Sequence, residues 1–142
     1  MTNIRAATLT DSFSINALSL HLGYAITPLE TSRERLKCLL ASTNDEVWVF
    51  DESNIILGWI HVFKAHRLAS STFNEIGGLV VAPTARNRGI GRLLVEFVAK
   101  QSRDKNLELR VRCNSHREDT HKFYLKTGFT NSKTQHVFTM HL

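Results

Sequence analysis

Apolar and polar positions change their spacing several times along the chain, and each change predicts an element. Ile4-Arg5-Ala6-Ala7 reads as a short first strand. Thr10 or Asp11 then suits the cap of a helix carrying Phe13, Ile15, Leu18 and Leu22, with Gly23 as its stop. Pro28 opens a second helical stretch whose apolar side is Leu29, Leu36, Leu39 and Leu40. Val47-Trp48-Val49-Phe50 is β-branched and aromatic, so a strand is expected over Glu46 to Phe50. Asp51-Glu52-Ser53-Asn54 is turn chemistry, and Ile55 to Phe63 returns as the second arm of a hairpin. A third strand runs from Phe73 to Val81.

The strongest helical period follows: Ile90, Leu93, Leu94, Phe97 and Val98 share one face, with Arg92, Glu96 and Lys100 opposite. From Leu107 to Cys113, Leu107, Leu109 and Val111 alternate with Glu108, Arg110 and Arg112, the period of a half-buried strand. A short helix is expected over His121 to Lys126, broken by Thr127-Gly128-Phe129, and Gln135 to His141 is expected to close the sheet. No Pro- or Gly-rich linker, repeat or low-complexity tract divides these elements, so residues 1–142 read as one α/β (α+β) domain with a mixed sheet. The strands on either side of the long helix should be parallel, joined by a crossover.

Composition narrows the class. A chain of 142 residues with 42% hydrophobic and 22% charged residues has the makings of an ordinary globule rather than a disordered segment. No apolar run approaches the ~20 residues of a membrane-spanning helix, and the N-terminus lacks the apolar core of a signal peptide. Cys38 and Cys113 form neither a CxxC pair nor a zinc spacing, so no metal site and a reduced, cytoplasmic setting are expected. The net charge of +5 admits nucleic acid, anionic membrane or a small anion as partner. Its distribution is uneven. Arg86 to Arg117 holds nine Lys or Arg against Glu96, Asp104 and Glu108, whereas the rest of the chain is close to neutral.

That basic stretch begins at the segment with the clearest chemistry. Leu79-Val80-Val81-Ala82-Pro83 ends a strand, Thr84-Ala85-Arg86-Asn87-Arg88-Gly89 is a basic loop, and the helix starts at Ile90-Gly91-Arg92. Amides at a helix start have no intrahelical acceptor, the helix dipole adds positive potential there, and glycine admits an anion close to the backbone. Such a loop suits a pyrophosphate. It is not a Walker loop, because no Lys follows Gly91, and not a dinucleotide fingerprint, because Leu94 stands where a third glycine belongs.

Arg86-Asn87-Arg88-Gly89-Ile90-Gly91 spells RxxGxG directly after a strand. With the preceding Leu-Val-Val-Ala-Pro, the Ile4-Arg5-Ala6-Ala7 opening and the later Asn114…Phe123-Tyr124…Gly128-Phe129, the chain resembles the GNAT superfamily of acetyl-CoA-dependent N-acetyltransferases along almost its whole length. The resemblance implies a central sheet of six to seven strands, splayed between the fourth and fifth and flanked by about four helices. It implies acetyl-CoA as cosubstrate, held by the backbone of Leu79, Val80 and Val81, by the loop Arg86, Asn87, Arg88, Gly89, Ile90, Gly91 and Arg92, and by Asn114 and Tyr124. Gly77-Gly78 just upstream suits a bulge or a close approach.

By the same resemblance, a primary amine of a small molecule or peptide attacks the thioester directly and the CoA thiolate leaves. Val81 N–H is the expected oxyanion donor, Tyr124 the expected acid, and Glu75 the expected base, with a surface-facing role for Glu75 as the alternative. His61 and His66 are expected to be bystanders or to border the acceptor cleft, and His121 to be structural or solvent-facing. Trp48 and Trp59 should be core residues, Tyr24 either packs or touches substrate, and Cys113 should be a small buried residue. The implied partners are acetyl-CoA and an amine, with no nucleic acid or membrane, and a homodimer is an assembly common in the family. A catalytically silent CoA-binding sensor and a nucleic-acid module remain as other readings of the same basic loop, the second weakened by the lack of interleaved aromatics.

Overall fold

The computed structural model describes residues 3–23 and 25–142, so the expectation for Tyr24 lies outside the described residues. The chain divides into two compact units, Met1–Val111 and Arg112–Leu142.

The first unit is a five-stranded sheet in the order β1 (Ile4–Ala6), β2 (Asp45–Glu52), β3 (Ile55–Ala65), β4 (Phe73–Val81), β5 (Leu109–Val111). All neighbours are antiparallel except β4 and β5, which are parallel and joined through α3 (Ile90–Asp104). The hairpin between β2 and β3 turns on Ser53 and Asn54, both at positive φ, as a two-residue primed turn requires. Helices α1 (Ser12–Ser19) and α2 (Leu29–Ala41) complete the unit.

Pairing sorts the side chains onto two faces. On one, Trp48 meets Phe97 of α3 edge to face at 4.7 Å, and Asn74 Nδ2 donates to Ser102 Oγ at 2.9 Å. Gly58 lies beneath Ile90 and Leu94 on this face, which a larger residue would push away. On the other, Trp59 meets residues of α1 and α2. Val49, Ile60, Leu94, Val95 and Val98 are almost fully buried between these layers. Arg5 ties the short edge strand down: its guanidinium donates to both carboxylate oxygens of Asp11 at 2.9 Å and to Asp51 at 3.0 Å. This pairing holds the Asp11 carboxyl below its usual range.

The second unit carries α4 (Glu118–Lys126), around which Tyr124 packs edge to face against Phe123 and Phe129 at 5.1 and 5.4 Å. The structure thus has the mixed sheet and four α-helices, but among the described residues five strands rather than six to seven. The expected terminal strand at Gln135 to His141 is absent, and residues 130–142 are exposed and in no ladder. Val137 and Phe138 are adjacent rather than alternating, and β-propensity forms a strand only where a neighbour supplies hydrogen bonds. The strand expected over Leu107 to Cys113 is confined to Leu109–Val111. Its start is delayed because Leu107 N–H still donates to Ser102 C=O behind α3, with Asn106 at φ +56°. Among the described residues no helix is long and apolar enough to cross a membrane.

Candidate active site

The site begins with the pairing of β4. Its parallel contact with β5 covers only Asn74 to Ile76, and beyond that point β4 has β3 alone as a neighbour. The sheet is therefore splayed between its fourth and fifth strands. Ala82 N–H donates to Leu57 C=O at 2.8 Å, which fixes the alternation backwards along β4. By that alternation Val80 addresses its backbone to β3, and Leu79 and Val81 address theirs to the open side.

A register shift opposite His61 and Val62 sets this phase. Gly77 is the extra residue, so the open-side positions change from Asn74 and Ile76 to Leu79 and Val81. Glycine is needed here for space. A Cβ on Gly77 would stand 2.5 Å from His61 Nδ1, and one on Gly78 would stand 2.8 Å from Trp59 Cη2 and Cζ3. The expectation of a bulge or close approach at Gly77-Gly78 is met by both features at once.

Past Val81, Pro83–Ala85 makes a single 3-10 turn, Asn87 takes φ +68°, and Gly89 takes φ +77° as the cap of α3. The first intrahelical bond runs from Leu93 N–H to Gly89 C=O, so the amides of Ile90, Gly91 and Arg92 precede it. Apart from its chain neighbours and the backbone of its own helix, no heavy atom of the described residues lies within 4 Å of where a Gly89 Cβ would be. Ile90 contributes only its backbone, since its side chain is buried against the sheet.

The loop arginines differ. Arg86 is exposed and forms no ion pair among the described residues. Arg92 pairs with Glu96 one turn along α3, at 2.8 Å. Arg88 forms a two-pronged bridge to Glu52 at 2.9 and 3.0 Å, which lowers the Glu52 carboxyl below its usual range. That bridge fastens the loop to the end of β2. It also sets a carboxylate against one of the cations that an anion would use. Glu52→Gln is expected to tighten the binding of a diphosphate-bearing ligand at this loop by about two- to fivefold at low ionic strength, with the gain vanishing in high salt. Titration of CoA at two salt concentrations checks this, and weaker binding in low salt would assign the bridge a positioning role instead.

Glu75 is buried on β4, which excludes the surface-facing alternative. It is paired with Phe63 on β3 and Arg110 on β5, so it shares a sheet face with His61 and Trp59. His61 Nε2 donates to Asp45 Oδ1 at 2.7 Å. His66 lies outside this group, with Nδ1 3.2 Å from Thr72 Oγ1. The first unit thus brings Glu75, Leu79, Val81 and the loop onto one continuous stretch of strand and helix start.

In the second unit Tyr124 is buried, and burial foremost, with Cys113 acting in the same sense, pushes its phenol up to about 12. Asn114 accepts from His116 N–H through Oδ1, and its carbonyl accepts from His121 Nε2 at 2.9 Å. His121 is therefore a local brace, as expected. Cys113 is exposed rather than buried. Sequence reading missed Glu52 and Asp45 as partners, because neither stands at a motif spacing from Arg88 or His61. It also assigned Trp59 to the core without a polar role.

The model of the acetyltransferase (GNAT) family matches residues 14–129. Among curated proteins, an aminoalkylphosphonate N-acetyltransferase of Salmonella typhimurium is 28% identical over 131 residues, covering 91% of this chain and 85% of that one. Among solved structures, a transcriptional regulator from Bacillus halodurans superposes with a TM-score of 0.85 at 22% identity, over 100% of both chains. The aminoglycoside N-acetyltransferase AAC(6')-Iy in complex with CoA superposes with a TM-score of 0.87 at 17% identity, over 98% of this chain and 94% of that one.

Proposed function

Because the chain belongs to the GNAT acetyltransferase family, we propose that it moves the acetyl group of acetyl-CoA to a primary amine of a small molecule or peptide by direct attack, as one domain spanning residues 1–142. The observation that carries this is the unpaired edge of β4 running into the Gly89 helix start. An extended backbone past Ile76 that, among the described residues, has β3 on one side and no strand on the other is a template for an amide-bearing chain, and the helix start with Arg86 is a template for a diphosphate. A single ligand with both parts in that order fits, and acetyl-CoA is such a ligand. The family match also crosses the boundary between the two units, which supports a single domain.

Acetyl-CoA supplies the acetyl group as a thioester with a thiolate as leaving group. The chain's residues do the rest. The backbone of Leu79 and Val81 orients the extended arm. Val81 N–H donates to the carbonyl oxygen on which negative charge builds. The amides from Ile90 to Arg92 and the guanidinium groups of Arg86, Arg88 and Arg92 hold the phosphates, with Asn87 and Gly89 shaping the loop, and Asn114 is assigned to the pantetheine arm or ribose side of the same ligand. Tyr124, still protonated at neutral pH, gives a proton at its phenolic oxygen.

Glu75 takes the proton of the attacking amine, directly or through water. Glu75→Gln is expected to lower turnover about tenfold at pH 7, with the gap narrowing as pH rises toward the ~10 at which an amine loses its own proton in water. A pH–rate profile of both proteins checks this, and parallel profiles would leave Glu75 a packing residue. The relative that acts on aminoalkylphosphonates makes small amines the first acceptors to try. Two exposed free thiols, Cys38 and Cys113, suit a reducing cytoplasm.

The reading as a whole is tested by incubating the purified chain with acetyl-CoA and a panel of amines. Amine-dependent release of free CoA is expected. CoA binding without release on any acceptor would leave a binding module and not an enzyme.

A further inference from the structure

A cavity of about 210 Å³ lies on the Glu75 face of the sheet, walled in part by Asn16 and Ser19 of α1, Thr27 before α2, Arg35 of α2 and Trp59 of β3. Its polar groups are unequally satisfied. Asn16 Nδ2 donates to Thr27 C=O at 3.1 Å, and Ser19 Oγ donates to Ile15 C=O at 2.6 Å, so both are engaged within the wall. Arg35 reaches only Thr27 Oγ1, at 3.5 Å, and forms no ion pair among the described residues. Trp59 is buried, and its indole Nε1 has no hydrogen-bond partner among the described residues. Among the described residues no Asp or Glu lines the cavity.

A cavity lined by one cation without an ion pair and, among the described residues, by no carboxylate selects an anion. Its place in the fold says which one. The six-membered ring of Trp59 lies against Gly78, the residue before Leu79, where β4 parts from β5. The cavity wall therefore touches the strand along which the acetyl group is delivered. Its volume equals about seven water molecules, room for a compact acid group and a short carbon arm.

We propose that this cavity is the acceptor's anion subsite, so that the favoured substrate is a small amine bearing a compact anionic group. Arg35 pairs with the acid group, the Trp59 ring walls the carbon arm, and the amine end lies toward the Glu75 side. The assignment rests on the acyl-transfer reading above. It extends that reading by naming the substrate class and one specificity-determining residue, Arg35.

The test compares 2-aminoethylphosphonate, β-alanine and ethanolamine, which share a two-carbon arm and differ in the group at its end. Binding of each to the CoA-loaded protein is measured by calorimetry, and CoA release from acetyl-CoA is measured in parallel. At least one anionic amine is expected to bind at least about tenfold more tightly than ethanolamine, and the phosphonate and carboxylate arms show which acid group is preferred. Arg35 is exposed, so Arg35→Gln should fold normally and collapse that ratio toward one. Equal binding of all three amines, or a ratio unmoved by Arg35→Gln, overturns the subsite. If ethanolamine turns over as well as the anionic amines, acyl transfer stands and the subsite falls. If anionic amines bind through Arg35 but no CoA is released, the subsite stands and acyl transfer falls.

Discussion

Gly89→Asp is expected to weaken CoA binding by about three orders of magnitude. Gly89 holds φ +77° at the start of α3, and the space beside it is open. The protein itself would therefore not obstruct an Asp side chain. The backbone conformation would cost any non-glycine residue about 1 kcal/mol, least for Asn and Asp. The larger effect is electrostatic. A carboxylate ~4 Å from a phosphate charge costs about 4 kcal/mol at an effective dielectric of ~20, which is about a thousandfold in affinity. Gly89→Asn shares the size and the backbone strain without the charge, so it should lose about tenfold or less. Calorimetric titration of CoA into the two variants separates the terms. CoA binding to Gly89→Asp at wild-type affinity would remove this loop from the phosphate site.

Tyr124→Phe is expected to lower kcat by about a hundredfold, with CoA affinity changed by less than about twofold. The ring is fixed between Phe123 and Phe129, and Phe would keep both contacts. What disappears is the hydroxyl. Burial raises the phenol to about 12, so it stays protonated throughout the usual assay range. The sign follows directly: an acid fails when it loses its proton, so activity that depends on Tyr124 should persist through pH 10 and fall only above about pH 11. An alkaline limb below pH 10 in the wild-type profile must then belong to another group. Steady-state kinetics of the variant decide the matter, because unchanged turnover would exclude Tyr124 from proton transfer.

Much of this architecture was legible as local pattern. The strand from Phe73 to Val81 has the observed limits, because apolar residues stand on both sides of Gly77-Gly78 and Pro83 forbids its extension. The helix from Ile90 declares itself by its period and by the glycine before it. The Gly77-Gly78 pair announced an irregularity, but which residues would then address the open side follows only from the register with His61 and Val62. The C-terminal stretch shows the reverse. Val137, Phe138 and Met140 have strand-like composition, yet the segment has no ladder partner and is exposed.

Long-range pairings were not legible at all. Arg88 and Glu52 are 36 positions apart, and only the hairpin between β2 and β3 brings the carboxylate to the loop. Arg35 reads in sequence as one more charge on the solvent side of α2, and Trp59 as one more core aromatic. Their shared cavity depends on how α2 meets the sheet. The basic excess in Arg86 to Arg117 is likewise less uniform than its count suggests, because Arg88, Arg92, Lys100 and Lys105 all face carboxylates. Arg86 forms no such pair, which leaves it for an anion.

The central claim is that the open side of β4 receives the extended arm of acetyl-CoA through Leu79 and Val81. Amide hydrogen exchange at residues 79–82, measured with and without saturating CoA, tests it most directly. Val80 and Ala82, whose backbones address β3, should be protected in both states, whereas Leu79 and Val81 should exchange faster in the free protein and become protected with CoA. Unchanged exchange at Leu79 and Val81 in saturating CoA would contradict the account.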